Sequence, residues 1–487
     1  MAKRTAVIDI GSNSVRMIIL EKSSRYAFHL LHEVKSKVRI SEGAYQNEGL
    51  LQDEAITRAI SALKEFKSIS DAYDVRKILC VATSAVRDAS NATQFIKKVQ
   101  KECQINIKVI SGEREAKLGG IACANLLSKT EAITLDIGGG STECACIKEA
   151  KVLDAHSIDL GTVRLKELFF DTNDIQGATA YIDQALESFK VKQHDHLIGV
   201  GGTFRALAQI LLKEKQHPLD KLHGFTFQTK ALVTLGENIL AAPDHESLKK
   251  LGVKSDRFDV IKPGVLILLR VITKLGVTHC TASGVGVREG LYLSDLLRHN
   301  NLIFPANFNP SLKYLLDQYT HNSAQRALRV KLTHTLFELM YQKLGLSKAL
   351  LPALTTATKL SKVGASIHFY SYQSHSYYLT QTALEYGYSH SEITLISTLV
   401  RFQSAKKIKS SYYEKYQELL PNVQVLNTLT SIMALAEALL YHHPRTIDYE
   451  FALEEDLLVI KSKKKESYLA KEAVASLNNT PLKVLFH

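Results

Sequence analysis

Two stretches of this chain place an aspartate directly before a glycine-rich turn. Residues 5–14 read TAVIDIGSNS and residues 132–141 read AITLDIGGGS. Both fit apolar-x-x-Asp-Ile-Gly-x-x-Ser, so Asp9 and Asp136 hold equivalent places. Glycines let successive backbone N–H groups turn toward one point without Cβ obstruction, and such a concavity binds phosphate. The first turn is Gly11, Ser12, Asn13 and Ser14. The second is Gly138, Gly139, Gly140, Ser141 and Thr142. The hydroxyls of Ser14, Ser141 and Thr142 add donors. One such motif alone is most simply a tight turn. Two copies, each behind an aspartate, imply two cradles that face each other across a cleft and grip adjacent phosphates of one ligand. The aspartates repel phosphate and cannot bind it directly. Mg2+ bridges carboxylates to phosphate oxygens, so Asp136 is read as a metal ligand and Glu143, which closes the second turn, as its companion. For Asp9 the metal role and the role of a turn cap stand side by side.

The elements that must position these residues follow from the repeat. A self-similarity at domain length implies two related domains, not a solenoid, whose periods are about 20–50 residues. Each copy reads as a β-hairpin, the second strands being Val15–Leu20 and Glu143–Ile147. Helical periodicity over Asp53–Ser68, a strand at Lys77–Ala82, a helix from about Ser90 to Glu102, a strand at Ile105–Ile110 and a helix from Ser111 to Leu127 complete an α/β first half. A strand at Leu197–Val200 runs into GVGGT (199–203), read as a loop before a helix over Phe204–Lys213. A buried helix at Pro263–Leu275 and the stretch HCTASGVGVREG (279–290) follow. Glycine loops stop near FPANFNPS (304–311), and 312–450 reads as mostly helical. The predicted domains are 1–128, 129–300 and 301–487. KSKKKE (461–466) reads as a solvated charged turn.

Composition narrows the class. The chain has 487 residues, 45% hydrophobic and 23% charged, with a formal net charge of +12. The length allows roughly three domains. The positive balance suits a polyanionic partner such as phosphate chains, nucleotides or nucleic acid, and equally a solvated basic surface. The six cysteines form no CxxC pair, and several lie in apolar runs, as buried reduced thiols do. Cys144 and Cys146 fall on one face of a strand. No apolar run approaches the ~18 residues of a membrane span, and MAKRTAVIDIG does not read as a signal peptide. A cytoplasmic protein with no membrane partner is expected.

IDIGSNS, ATSAVRDASNA (82–92), VISGEREAKLGG (109–120), LDIGGGSTE (135–143), GVGGT (199–203) and SGVGVREG (283–290) together resemble the exopolyphosphatase / guanosine pentaphosphate phosphohydrolase (Ppx/GppA) family, in the same order over about the first 300 residues. The resemblance implies two ribonuclease-H-like domains of the actin-like ATPase superfold around a cleft. It also implies Mg2+-dependent release of the terminal phosphate from inorganic polyphosphate, or of the 5′-phosphate of pppGpp to give ppGpp. The family's catalytic glutamate falls on Glu115. The glutamate before it in the family is Arg114 here, and Glu113, one place earlier, is a candidate to share the task. As general base, Glu115 would take a proton from the attacking water. Arg87 matches the family's phosphate-binding arginine. Gly201, Gly202 and Thr203 match a region that contacts nucleoside or distal phosphate, and Arg288 is placed to reach an anion.

By the same resemblance, the C-terminal region is expected to be an all-helical domain like a degenerate HD domain. No His-Asp dipeptide follows residue 300, so no second metal centre is expected there. The histidines and tyrosines of HFYSYQSHSYY (368–378) read as helix surface and core filling. Holding a long anionic chain, or forming a homodimer, is an expected role of this region, and nucleic acid is not an expected partner. Two other readings use the same turns: a non-catalytic (p)ppGpp-binding sensor, which the Arg at 114 keeps open, and an ATP-dependent kinase of the same superfold.

Overall fold

Arg4–Ile10 (β1) and Val15–Lys22 (β2) pair as an antiparallel hairpin, with Asp9 opposite Arg16. The chain in this computed structural model is described over residues 3–44, 46–129, 131–189, 191, 194–320, 322–404, 406–463 and 467–487. Nearly all of β1 is buried, as its unbroken apolar run requires of a central strand covered on both faces. Only Phe28 of Phe28–Ser36 (β3) is buried, the rest being half-buried or exposed, the pattern of an edge. Lys77–Ala82 (β4) and Ile107–Val109 (β5) add in parallel, giving the order β3-β2-β1-β4-β5. Helices Asp53–Ala72 (α1), Ser84–Arg87 (α2) and Ala92–Cys103 (α3) belong to this half. Phe66 of α1 and Phe95 of α3 enter the same core as Ile8, Ile10 and Met17.

Gly112–Leu126 (α4) leads into the second copy. Glu131–Ile137 (β6) and Thr142–Lys148 (β7) pair with Asp136 opposite Glu143, and Lys151–Ile158 (β8) follows antiparallel. His196–Val200 (β9) lies parallel to β6, and His279–Ala282 (β11) parallel to β9. Thr226–Gln228 (β10) closes the edge, and the order is β10-β11-β9-β6-β7-β8. Without β10 this repeats the first sheet strand for strand. Helices Thr162–Leu168 (α5), Ile175–Glu187 (α6), Gly201–Glu214 (α7), Thr229–Ala241 (α8), His245–Lys250 (α9), Ile261–Leu275 (α10) and Val287–Leu296 (α11) surround it.

Two helices cross between the halves. α4, which the sequence reading groups with the first sheet, packs on β7 and β8. α11, grouped with the second, packs on β1 and on α4. Tyr292 of α11 meets Phe28 edge to face at 5.0 Å, and Asp295 pairs with Lys77 at 2.6 Å. Both sheets accordingly fall in one compact unit, Met1–Asn309.

The second unit is Pro310–His487. It is helical as far as Leu439, built from Pro310–Tyr319 (α12), Ser323–Met340 (α13), Leu351–Leu360 (α14), Tyr372–Ala383 (α15), His390–Arg401 (α16), Ser410–Tyr416 (α17) and Val423–Leu439 (α18). Leu332, Phe337, Leu399 and Leu429 share its core. The expectation of helices throughout needs amendment at the end. Tyr449–Glu454 (β12), Leu457–Ser462 (β13) and Lys483–Phe486 (β14) form a three-stranded sheet, with Tyr468–Ala475 (α19) between the last two. Leu458 and Ile460 are fully buried, so the strand alternation packs against the helical core. Of the charged stretch 461–466, Lys461 and Ser462 belong to β13, and 464–466 lie outside the described residues. Among the described residues no single helix is long and apolar enough to cross a membrane.

Candidate active site

The two glycine turns have the same hydrogen bond. Gly11 N donates to Ser14 O (3.2 Å) and Gly138 N to Ser141 O (2.9 Å). The turns face each other closely. A Cβ on Gly139 would stand 2.7 Å from Ser12 Cβ, which no side chain permits. Between and around them lies a cavity of about 140 Å3. It is lined by Asp9, Gly11, Ser12, Asn13, Ser14, Glu115, Asp136, Gly138, Gly139, Ser141, Glu143, Gly201, Gly202, Thr203 and Arg288, among others.

The backbone makes this cavity anion-binding. The N-terminal residues of α2 (Ser84), α5 (Thr162), α7 (Gly201, Gly202) and α11 (Val287, Arg288) all line it. Helix N-termini carry free N–H groups and partial positive charge; those of α5 are the exception, Thr162 N donating to Gly138 O and Val163 N to Gly139 O. GVGGT therefore differs from its reading as a loop. Gly201 turns at φ +77° and begins α7 directly. A Cβ at Gly201 would collide with Asp136 Oδ1, so the helix end can meet the aspartate only through glycine.

The acidic side chains crowd one another. Burial raises Asp9 to about 6, against the pull of Arg288 and Arg16. Burial likewise raises Asp136. Glu143 is pushed up to about 8 by burial, although Ser141 and Ser157 donate to it; the Ser157 Oγ–Oε1 distance is 2.8 Å. Glu115 stands well above the usual carboxylate range, from burial first and then from Glu143, Asp9 and Asp136. Its Oε2 is buried without a hydrogen-bond partner. Hard oxygen donors whose charges oppose one another are the donor chemistry Mg2+ accepts. Among the described residues no three His, Cys, Asp or Glu side chains form a ready-made metal cage.

Cations balance the acids. Arg16, Lys35, Arg205, Arg257 and Arg288 also line the cavity. Arg205 is fixed by donating to Ser283 O (2.7 Å) and Val285 O (3.2 Å), and Arg288 by Glu33 (2.7 Å). Burial first, and then Arg16 and Arg257, hold Lys35 below its ordinary range. Only Arg288 of these five was singled out by motif. Arg16 had a signal: it stands opposite Asp9 as Glu143 stands opposite Asp136, so one copy carries a base partner where the other carries an acid. Arg257 closes a short 3-10 turn, Ser255–Arg257, outside every motif.

Four expected positions are placed differently. Thr142 Oγ1 donates to Leu160 O (2.6 Å) and is fully buried, so its hydroxyl ties β7 to the chain and does not reach the cavity. The Gly140 carbonyl accepts from Arg164 Nε (2.9 Å), behind the turn. Arg87 is not among the cavity-lining residues. It stands beside Glu115, Nη1 to Oε2 3.6 Å, and donates to Ile110 O. Glu113 is exposed in the first turn of α4, away from the cavity, while Glu115 lines it. Ser111 caps this helix by accepting from Arg114 N, which explains the Ser-Gly pair: the cap fixes which face of α4 carries position 115.

A duplicated sheet of this connectivity, with a cavity between the copies, defines an enzyme of the actin-like ATPase fold. More narrowly, the chain belongs to the Ppx/GppA phosphatase family: residues 4–299 match that family and residues 310–483 match its domain III. It is 29% identical over 410 residues to a guanosine-5′-triphosphate,3′-diphosphate pyrophosphatase of Pseudoalteromonas translucida (strain TAC 125), covering 81% of this chain and 80% of that protein. The crystal structure of the Aquifex aeolicus family member superposes with a TM-score of 0.54 at 29% identity, covering 62% of this chain and 99% of that one. An exopolyphosphatase from Cytophaga hutchinsonii superposes with a TM-score of 0.54 at 26% identity, covering 62% of this chain and 100% of that one.

Proposed function

We propose that the chain hydrolyses the terminal phosphoanhydride bond of a linked-phosphate substrate, with Glu115 as general base. The carrying observation is Glu115 Oε2, buried without a hydrogen-bond partner in the wall of a cavity bounded by two glycine turns. The turns and helix N-termini hold successive phosphates, and the arginines neutralise them. A water between Glu115 and the terminal phosphorus gives its proton to Oε2 as its oxygen bonds to phosphorus. The bond from phosphorus to the bridging oxygen breaks, and the penultimate phosphate leaves with that electron pair. The ionised carboxylate is the form that accepts the proton, and cations gathered in the cavity favour that form. Asp136 and Glu143, with Asp9, would hold Mg2+, which supplies charge neutralisation on the phosphate oxygens. Phosphoryl transfer depends mainly on such positioning and neutralisation.

The preferred substrate in this reading is pppGpp. A second space of about 450 Å3 adjoins the phosphate cavity through Gly202, Arg205 and Arg257, with Ala206, Ile210, Leu222 and Leu251 on its walls. Its apolar side chains suit a nucleoside, while Lys213, Lys250 and Lys254 on the same lining suit further phosphate, as on the 3′ side of pppGpp. Parallel phosphate-release assays on pppGpp and on long polyphosphate, with Mg2+ and with chelator, test this. Faster release from pppGpp is expected, and loss of release in chelator. Equal or faster release from polyphosphate would overturn the preference. Binding of pppGpp without release under any divalent metal would favour the sensor reading instead.

A further inference from the structure

Glu115 is held in place by a chain of contacts that ends on the opposite phosphate turn. Arg87 presents Nη1 to Glu115 (3.6 Å), and its other edge is fixed by Asp88: Nε donates to Oδ1 at 3.3 Å. Asp88 uses its second oxygen differently. Oδ2 accepts from Arg164 Nη2 at 3.2 Å. Arg164 belongs to α5, in the other half of the unit, and its Nε donates to the carbonyl of Gly140 at 2.9 Å. Its backbone N–H also donates to Gly139 O at 3.1 Å. Asp159 Oδ1 lies 3.6 Å from Nη2 on the outer side.

We propose that Asp88 and Arg164 are a positioning pair. Asp88 divides its carboxylate between the arginine that faces the base and the arginine that grips the second glycine turn. The arginine facing the base, which follows β4 in the first half, is thereby tied to the cradle after β6 in the second half. This rests on the reading of Glu115 as base. A merely structural role predicts little effect from losing the pair. The Asp88 side chain is 35% exposed, and ion pairs this open contribute little to stability. A positioning role predicts a large effect on turnover, because displacement of a reacting group by about 1 Å costs up to about 100-fold.

The test uses the full chain with Mg2+ and measures phosphate release from pppGpp and from long polyphosphate. The variants are Asp88→Asn, Asp88→Glu, Arg164→Lys, the double Asp88→Asn/Arg164→Lys, and Glu115→Gln. Asp88→Asn keeps shape and removes charge. On the better substrate it is expected to lower kcat about tenfold, leave KM within about twofold, and melt at the wild-type temperature. Asp88→Glu is expected to restore part of kcat. The double variant is expected to lose no more than the worse single one, as residues acting through one contact do. Wild-type kcat in Asp88→Asn, losses that multiply in the double variant, or a rise in KM at constant kcat would each overturn the pair. An inactive Glu115→Gln beside an unaffected Asp88→Asn sinks only this inference. Wild-type turnover in Glu115→Gln sinks the base assignment and this inference with it.

Discussion

At the scale of single residues, the site is an excess of buried charge kept at short range. Glu115 lacks a hydrogen bond for Oε2 and has Arg87 as its nearest cation in the wall behind it. Removing its basicity while keeping its shape is the direct test. Glu115→Gln should lower kcat by about 100- to 10,000-fold, the usual worth of a general base, while equilibrium binding of substrate survives. Near-normal turnover would remove Glu115 from that role. Gly201 carries a different constraint. Its φ of +77° and its approach to Asp136 leave no room for a methyl. Gly201→Ala should cost about 1–2 kcal/mol for the left-handed backbone alone and should also displace Asp136. Urea unfolding together with phosphate release would show both losses, and a variant that is stable and active would contradict the geometry.

At the scale of elements, what matters is which ends of strands and helices meet. The two hairpins put Asp9 and Asp136 at matching strand ends, and the N-termini of α2, α7 and α11 open onto the cavity between them, while that of α5 donates to the carbonyls of Gly138 and Gly139. The C-terminal unit has its own polar cross-link. Glu437 of α18 accepts from Arg329 Nε of α13 (2.6 Å) and pairs with Lys362 (2.8 Å). Burial pushes Glu437 up, but Arg329 and Lys362 more than reverse this, so its folded pKa lies below the ordinary 4.5. The unfolded chain therefore binds the proton more readily. The stabilisation is complete above about pH 4.5 and is lost as pH falls through the folded value. Thermal melts of wild type should show this acid loss, and Glu437→Gln should flatten it. At neutral pH that variant should lose roughly 2 kcal/mol, less than for a wholly buried triad, because a third of Glu437 stays exposed. An unchanged acid limb would show that the pair contributes nothing.

At the scale of the whole molecule, a net charge of +12 has its functional focus in Arg16, Lys35, Arg205, Arg257 and Arg288 around one cavity. Salt screens such a field. Raising ionic strength from about 0.05 to about 0.5 M should raise KM several-fold and leave kcat nearly constant. A salt-independent KM would deny the cluster a role in capturing substrate. The site residues all lie in Met1–Asn309. Solved relatives matched over 99–100% of their own length cover only 62% of this chain. A fragment of residues 1–309 should accordingly fold with one cooperative transition and retain phosphate release. A fragment that stays unfolded would show that Pro310–His487 is needed to complete its core.

Much of this was legible in the residues in order. The repeat of Asp-Ile-Gly and the run of buried β-formers before each copy are local features, and they sufficed for paired hairpins and for the turns. Asp9, Asp136 and Glu143 were visible for the same reason, since each sits beside a turn whose backbone shape announces itself through glycine, whereas Glu115 was reached only through the family resemblance. What the tertiary structure alone decided is long-range. Lys35 and Arg257 join the cavity from an edge strand and a short turn, Thr142 is drawn away by a carbonyl 18 residues on, and Arg87 meets Glu115 across the sequence. Chain order records spacing along one strand or helix, whereas these side chains are placed by which sheets pack together. That is a balance of burial across the whole unit which no local pattern encodes.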